Sequence, residues 1–134
     1  MNVIRNKGDN SYCGPAAISL LTGHHVTLCC HYVRRVRMNS RPVKSVSNGT
    51  MLDALKLMGK TTREIPVHGE PTLVGLVRQL RLRKPAQRFL IRTTTHFLVL
   101  SGRKVYDNHN PDGTWFGKYN HRRYRVLACW EVSA

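Results

Sequence analysis

The sequence predicts an α+β fold in which N-terminal helices pack on a C-terminal antiparallel sheet. Before Pro85, apolar residues recur every three to four positions, as they do along helices with one buried face. After Pro85 the period changes to two, and turn signals separate the runs, which is typical of antiparallel strands. The chain has 134 residues, so we expect a single domain over residues 1–134.

Four helices are predicted in the first part of the chain. The first begins at Cys13 and ends at Gly23, a residue that suits a helix C-terminal cap. The second covers Val26–Arg37, with valines and cysteines inside and arginines mostly outside. The third extends over 49–58, and the fourth over about 72–83 behind a threonine cap.

Four strands are predicted after the helices. In chain order they cover 88–92, 96–100, 104–107 and 123–132. The Ser101-Gly102 pair predicts a hairpin turn, and Asn110-Pro111-Asp112-Gly113 predicts a second turn. We therefore expect a four- to five-stranded antiparallel sheet, with a cleft between the sheet and the helices.

Positive charge dominates the composition. Twenty-two Lys and Arg face seven Asp and Glu, which gives a formal net charge of +15. Such an imbalance favours polyanionic partners, either non-specific nucleic acid or an acidic protein surface. The arginines expected to bind them are Arg34, Arg35, Arg37, Arg78, Arg81 and Arg83. No recognised nucleic-acid-binding motif accompanies them, and a solvated basic surface without a ligand is the alternative.

The apolar runs are too short for a membrane protein. None approaches the roughly 18 residues of a membrane-spanning helix. The first ten residues are polar and contain no apolar segment of the kind found in secretion signals. We therefore expect a soluble protein, without membrane contact, that stays in the compartment where it is made.

The cysteines are expected to be free thiols. The chain has four, namely Cys13, Cys29, Cys30 and Cys129, without a C-x-x-C pair or a secretion signal. Histidines lie close to Cys29, but no second ligand pair with zinc-like spacing exists, so no metal is expected. The sequence predicts no cofactor.

Cys13 is the candidate nucleophile. The thiolate is the attacking species, and a helix N-terminus lowers the pKa of a thiol because its unpaired N–H groups and its dipole favour the anion. The residues that follow are small, which would let a substrate backbone approach. Gly14 could also offer a backbone N–H to an oxyanion. A cysteine in this position is otherwise an ordinary packed thiol.

His96 is the candidate base, because it begins a predicted strand and would be held by rigid structure. In the predicted hairpin, the start of this strand lies opposite the end of the next one. Asp107 or Asn108 could there hold the imidazole by its second nitrogen. A lone histidine at a strand start is usually unremarkable, but its combination with Cys13 indicates a nucleophile, a base and an orienting residue.

Residues 10–17, Asn-Ser-Tyr-Cys-Gly-Pro-Ala-Ala, resemble the nucleophile motif of papain-like cysteine peptidases. The closer resemblance is to the peptidase domains of bacteriocin exporters and to their small bacteriophage-encoded relatives. Leu-Thr-Gly at 21–23, Gly-Thr at 49–50 and the segment 94–107 around the histidine carry the same resemblance, which covers about residues 8–113.

This resemblance implies a papain-like fold and cleavage of peptide or isopeptide bonds. Cys13 would be the nucleophile, His96 the general base and Asp107 the orienting residue, with Asn108 as the alternative for the third role. The substrate would be a peptide or protein. The phage-encoded relatives imply a place in the host cytoplasm or in a phage particle.

One position departs from the family. A glutamine whose amide helps to bind the oxyanion usually stands six residues before the cysteine, and here that position is Lys7. The remaining candidates for oxyanion binding are Asn10 and Gly14. Loss of one oxyanion donor costs about 10²–10³ in rate. Two functions therefore stay open: a thiol peptidase, or a non-catalytic virion structural or binding protein whose basic surface contacts DNA or a protein assembly.

Overall fold

A computed structural model describes residues 12–80 and 87–134, which form an α+β fold. The helices of this part are α1 (Cys13–Thr22), α2 (Val26–Arg37), α3 (Asn48–Leu57), α4 (Leu73–Gln79) and the short 3₁₀ helix η1 (Phe116–Lys118). The strands are β1 (Thr61–Ile65), β2 (Arg88–Thr93), β3 (Phe97–Ser101), β4 (Lys104–Tyr106), β5 (Thr114–Trp115) and β6 (Val126–Ser133). None of these helices has both the length and the apolar character to cross a bilayer.

The sheet is antiparallel, with strand order β1-β6-β2-β3-β4-β5. It has six strands in the described residues instead of the expected four to five, because β1 and β5 were not predicted. Strand β1 reads Thr-Thr-Arg-Glu-Ile and lies at an edge of the sheet with most of its side chains exposed, so it lacks the apolar alternation of a buried strand. Strand β5 has two residues, too few for any periodic signal.

The helix ends follow from local signals. Gly23 caps α1 in the left-handed conformation, at φ 76°. The Ser47 and Thr72 side chains accept hydrogen bonds from backbone N–H groups in the first turns of α3 and α4. Helix α4 ends at Gln79, four residues earlier than predicted, because Leu80 already has an extended backbone.

The sheet has an apolar core on each face. Along β2, Leu90 belongs to one core, whereas Phe89 and Ile91 belong to the other. Helices α1, α2 and α3 pack on the first core, and α4 packs on the second. The basic residues of α2 and those of α4 therefore lie on opposite sides of the sheet.

Gly14 is buried where the loop before α3 crosses α1. A Cβ at this position would lie 2.8 Å from Cγ2 and 3.1 Å from Cβ of Val46. The space beside Gly14 is thus filled by Val46 and is not left open to a substrate. Glycine at this position is explained by close packing.

We expect Gly14→Ala to lower the free energy of unfolding by about 1–3 kcal/mol, because the added methyl group overpacks a rigid contact. Urea denaturation followed by circular dichroism measures this change. Gly49→Ala is the matched control, since a Cβ there meets no atom within 4 Å. Equal losses in the two variants would contradict the packing explanation.

Candidate active site

Cys13 is the first residue of α1, and its side chain is partly exposed. The preceding residue, Tyr12, has an extended backbone, so the sulfur lies where the N–H groups of the first helical turn have no helical acceptor. The backbone N–H of Phe97 points to Cys13 Sγ at 3.5 Å. This contact joins the N-terminus of α1 to the start of β3, and the two residues are 84 positions apart in the chain.

The surroundings of Cys13 favour its thiolate. Burial is the largest influence and would raise the pKa of the thiol, but hydrogen bonds with His96 and the Phe97 N–H, and the positive charges of His96 and Arg92, lower it below the ordinary 9.0. By contrast, burial raises the pKa of Cys29 and of Cys129 to about 12. Cys13 is therefore the thiol in this chain that combines access with a stabilised anion.

His96 directly precedes β3, at the tight connection from β2. Its carbonyl accepts hydrogen bonds from both the backbone N–H and the hydroxyl of Thr93, which fixes the backbone of the histidine. Its Nε2 lies 3.0 Å from Asp107 Oδ2. Because Nε2 donates to this carboxylate, Nδ1 is the nitrogen that can face the thiol of Cys13.

The pKa of His96 is raised from 6.5 to about 9. Burial opposes the charged ring most strongly, but the hydrogen bonds with Asp107 and Cys13 and the negative charges of both outweigh burial. The lowered pKa of the thiol and the raised pKa of the imidazole act in the same direction, because the charged form of each group stabilises the charged form of the other.

Asp107 follows β4 and is buried, with 1% of its surface exposed. Its Oδ2 accepts from His96 and from the Tyr119 hydroxyl, the latter at 2.5 Å. Its Oδ1 accepts from the backbone N–H groups of His109 and Asn110 and from the Asn110 side chain. Burial would raise the pKa of this carboxyl, but the hydrogen bonds from His96, Tyr119 and Asn110 hold it well below its usual range.

The hairpin register accounts for the meeting of His96 and Asp107. Val99 of β3 pairs with Tyr106 of β4, so the residue after Tyr106 continues toward the start of β3. The sequence predicted this juxtaposition. Of the two candidates for the third residue, Asp107 is the one whose carboxylate holds the His96 ring.

Three further aromatic side chains at this site were not predicted. Tyr119 is fully buried beside Asp107, and the rings of His109 and His121 lie 6.5 Å and 6.0 Å from the His96 ring, centroid to centroid. Tyr119 and His121 come from the segment after the 110–113 turn, whereas His109 directly precedes this turn. That turn was the available sequence signal, but it does not specify which side chains would reach the histidine.

Of the two candidates for oxyanion binding, Gly14 lies in the part of the chain that the structure describes. Asn10 and Lys7 lie outside the described residues. Gly14 is the second residue of α1, and its N–H belongs to the first helical turn, beside the sulfur of Cys13. It therefore stays the candidate donor for an oxyanion.

The arginines predicted to bind polyanions do not share one surface. On α2, Arg34 donates to the carbonyl of Arg41 and Arg37 donates to the carbonyl of Ser45, so both hold the following loop, whereas Arg35 is exposed. Arg78 is exposed on α4, on the opposite side of the sheet. Arg81 and Arg83 lie outside the described residues.

His25 has a local role at the start of α2. The ring of His25 accepts a hydrogen bond from the Thr27 N–H and thereby caps α2. Within residues 12–80 and 87–134, no group of three or more His, Cys, Asp or Glu side chains could hold a metal. The four cysteines are free thiols.

Comparisons of the sequence with protein-family models and with curated proteins give no match.

Proposed function

We propose that the protein is a papain-like thiol hydrolase that cleaves peptide or isopeptide bonds. The observation that supports this function is the contact of a partly exposed thiol, Cys13, with an imidazole whose other nitrogen is held by the buried carboxylate of Asp107. In this arrangement Cys13 is the nucleophile, His96 is the proton carrier and Asp107 is the positioning residue.

The reaction follows from the protonation states. The Cys13 thiolate attacks the carbonyl carbon, an S–C bond forms, and the negative charge moves to the carbonyl oxygen near the Gly14 N–H. When the intermediate collapses, the C–N bond breaks and His96 gives its proton to the leaving amine. Water then attacks the thioester while His96 accepts a proton, and the acid leaves as the thiolate is restored.

The papain-like assignment is supported by the order and position of the elements. The cysteine begins the first helix of the described chain, the histidine begins a strand, and the aspartate follows the next strand of one hairpin. The sequence resemblance adds the motif around the cysteine. A place in a phage particle or in the host cytoplasm rests on that resemblance alone.

Alkylation of the free cysteines tests this function. We expect iodoacetamide at about pH 6–7 to modify Cys13 at least tenfold faster than Cys29 or Cys129, because the thiolate is the reactive species. Mass spectrometry of the digested protein measures the rate at each position. The rate at Cys13 should rise with pH to a plateau whose midpoint lies below the ordinary thiol pKa.

Exposure by itself would also favour Cys13 over the buried cysteines, so His96→Ala is the deciding control. This variant keeps the position of the thiol but removes its partner, and its alkylation midpoint should move up toward the ordinary value of 9.0. An unchanged midpoint would exclude an activated thiol. It would favour the alternative function, a non-catalytic virion structural or binding protein of the same fold.

A further inference from the structure

A groove lined by arginines and an exposed indole lies on the α4 side of the sheet. Its volume is about 580 Å³, and it is formed where α4 meets the segment around η1 and the chain that leads into β6. Its cationic side chains are those of Arg78, Arg122, Arg123 and Arg125, and its exposed indole is that of Trp115. No acidic side chain is among the described residues that line it.

Two of these guanidinium groups are held in position by main-chain carbonyls. Arg122 donates to the carbonyl of Tyr119 and Arg125 donates to that of Glu70, each at 3.2 Å. A guanidinium has five N–H donors, so each group can still bind an anion. The groove therefore presents four arginines to phosphate groups, and two of them are already held in position.

Trp115 gives the groove a flat aromatic surface. The side chain is 52% exposed, although an indole of this size is usually buried. A Cβ on Gly117 would lie 2.9 Å from the indole ring, so the ring rests directly on the glycine, and Phe116 contacts it edge-on at 5.6 Å. The indole is thus held in place by Gly117 and Phe116, while about half of its surface faces solvent.

Tyr124, between Arg123 and Arg125 in the sequence, is a second exposed ring but is not among the residues that line the groove. It is 37% exposed and stacks on His121 at 4.4 Å between ring centroids. His121 in turn contacts the His96 ring, so these two rings connect the chain segment that carries Arg122, Arg123 and Arg125 with the thiol site. None of the groove arginines is part of the proposed nucleophile, base or orienting residue.

We propose that this groove binds single-stranded nucleic acid. Arginines that follow a groove neutralise backbone phosphates, and a fixed, exposed indole offers a platform on which a base can stack. An acidic peptide would use the charges but not the indole, and a double helix keeps its bases stacked on each other, away from the ring. The net charge of +15 favours association with any such polyanion, but the indole selects for unpaired bases.

Intrinsic fluorescence tests the proposal, because the chain has two tryptophans. Trp115 is exposed, whereas Trp130 is buried and serves as an internal reference. Titration of the Cys13→Ala protein with a short oligothymidylate at low salt should quench part of the emission, and the affinity should fall steeply with added salt. Use of this variant makes the result independent of the proposed hydrolase activity.

The indole is tested by substitution. Trp115→Ala should abolish the quenching and weaken binding of a labelled oligothymidylate, measured by anisotropy, about tenfold, whereas Trp115→Phe should retain most of the affinity. Unchanged affinity in Trp115→Ala would overturn the proposal. So would equally tight binding of duplex DNA of the same length.

A pair of matched charge reversals tests the location. Arg78→Glu with Arg123→Glu should weaken binding about tenfold or more, since both side chains line the groove. Arg35→Glu with Arg41→Glu changes the net charge equally, on the α2 side of the sheet, and should weaken binding far less. Equal losses of affinity in the two double variants would show that the oligonucleotide is attracted only by the overall positive charge, and they would overturn the proposed site. If polyglutamate displaces the oligonucleotide at equal charge concentration, the groove is a site for acidic protein and the proposal is wrong.

Discussion

Replacement of Asp107 by alanine is expected to lower the free energy of unfolding by about 3–5 kcal/mol, because it removes the acceptor of a buried, hydrogen-bonded charge pair. The buried carboxylate accepts five hydrogen bonds, including those from His96 and Tyr119, and its removal takes this acceptor away from all of these donors. Urea denaturation near neutral pH measures the loss.

Two milder variants separate the contributions. Tyr119→Phe removes one donor and should cost about 1–2 kcal/mol, with the carboxylate still held by its other partners. Asp107→Asn keeps the shape. Its N–H₂ group should take the place of Oδ2, because the Tyr119 hydroxyl and the His96 ring can accept a hydrogen bond whereas the backbone N–H groups that face Oδ1 cannot, so the variant should disturb the His96 ring more than the fold. If Asp107→Ala were no less stable than Tyr119→Phe, the carboxylate would not be the centre of this network.

The stability of the protein should also depend on the pH through these groups. The pKa of Asp107 is held below its ordinary 3.8, so its contribution is present above about pH 4 and is lost as the pH falls through the lower folded-state pKa. The pKa of His96 is raised from 6.5 to about 9, so its contribution is complete below 6.5 and is lost as the pH rises through 9. Asp107→Ala should remove the first dependence and weaken the second.

Hydrolysis should fall about 10²–10⁴-fold in His96→Ala, the usual loss when a general acid–base group is removed. A pool of fluorogenic peptide amides measures the rate, since amide cleavage needs a proton for the leaving amine. In the unmodified protein the rate should rise as Cys13 ionises and fall again as His96 loses its proton near pH 9. Alkylation should lack this alkaline fall, because it needs only the thiolate.

The comparison of the two pH profiles is the sharper part of this prediction. An alkaline decrease in hydrolysis without one in alkylation assigns the proton donor to His96. If hydrolysis persisted undiminished in His96→Ala, the imidazole would have no part in the chemistry. Loss of activity in Cys13→Ala then remains the check that the measured hydrolysis belongs to this chain.

Helices α1 and α2 and the β3–β4 hairpin could be predicted because their signals are local. Apolar residues at helical spacing specify the buried face of α2, and Gly23 specifies the end of α1. The two-residue turn, which lies at Gly102-Arg103 and thus one residue later than predicted, sets the register that carries Asp107 to His96. The sequence alone thus determined which residues are candidates for the thiol site, because a short turn constrains the strands on either side of it.

Tertiary structure alone decided what surrounds those residues. Tyr119 reaches Asp107 through a loop with no periodic pattern, and Trp115 joins Arg78 in one groove only because η1 packs against α4. The edge strand β1 is mostly exposed, so its place beside β6 comes from backbone pairing and leaves no apolar signature. Contacts of this kind join segments far apart in the chain, and their geometry depends on how loops pack, which residue spacing does not encode.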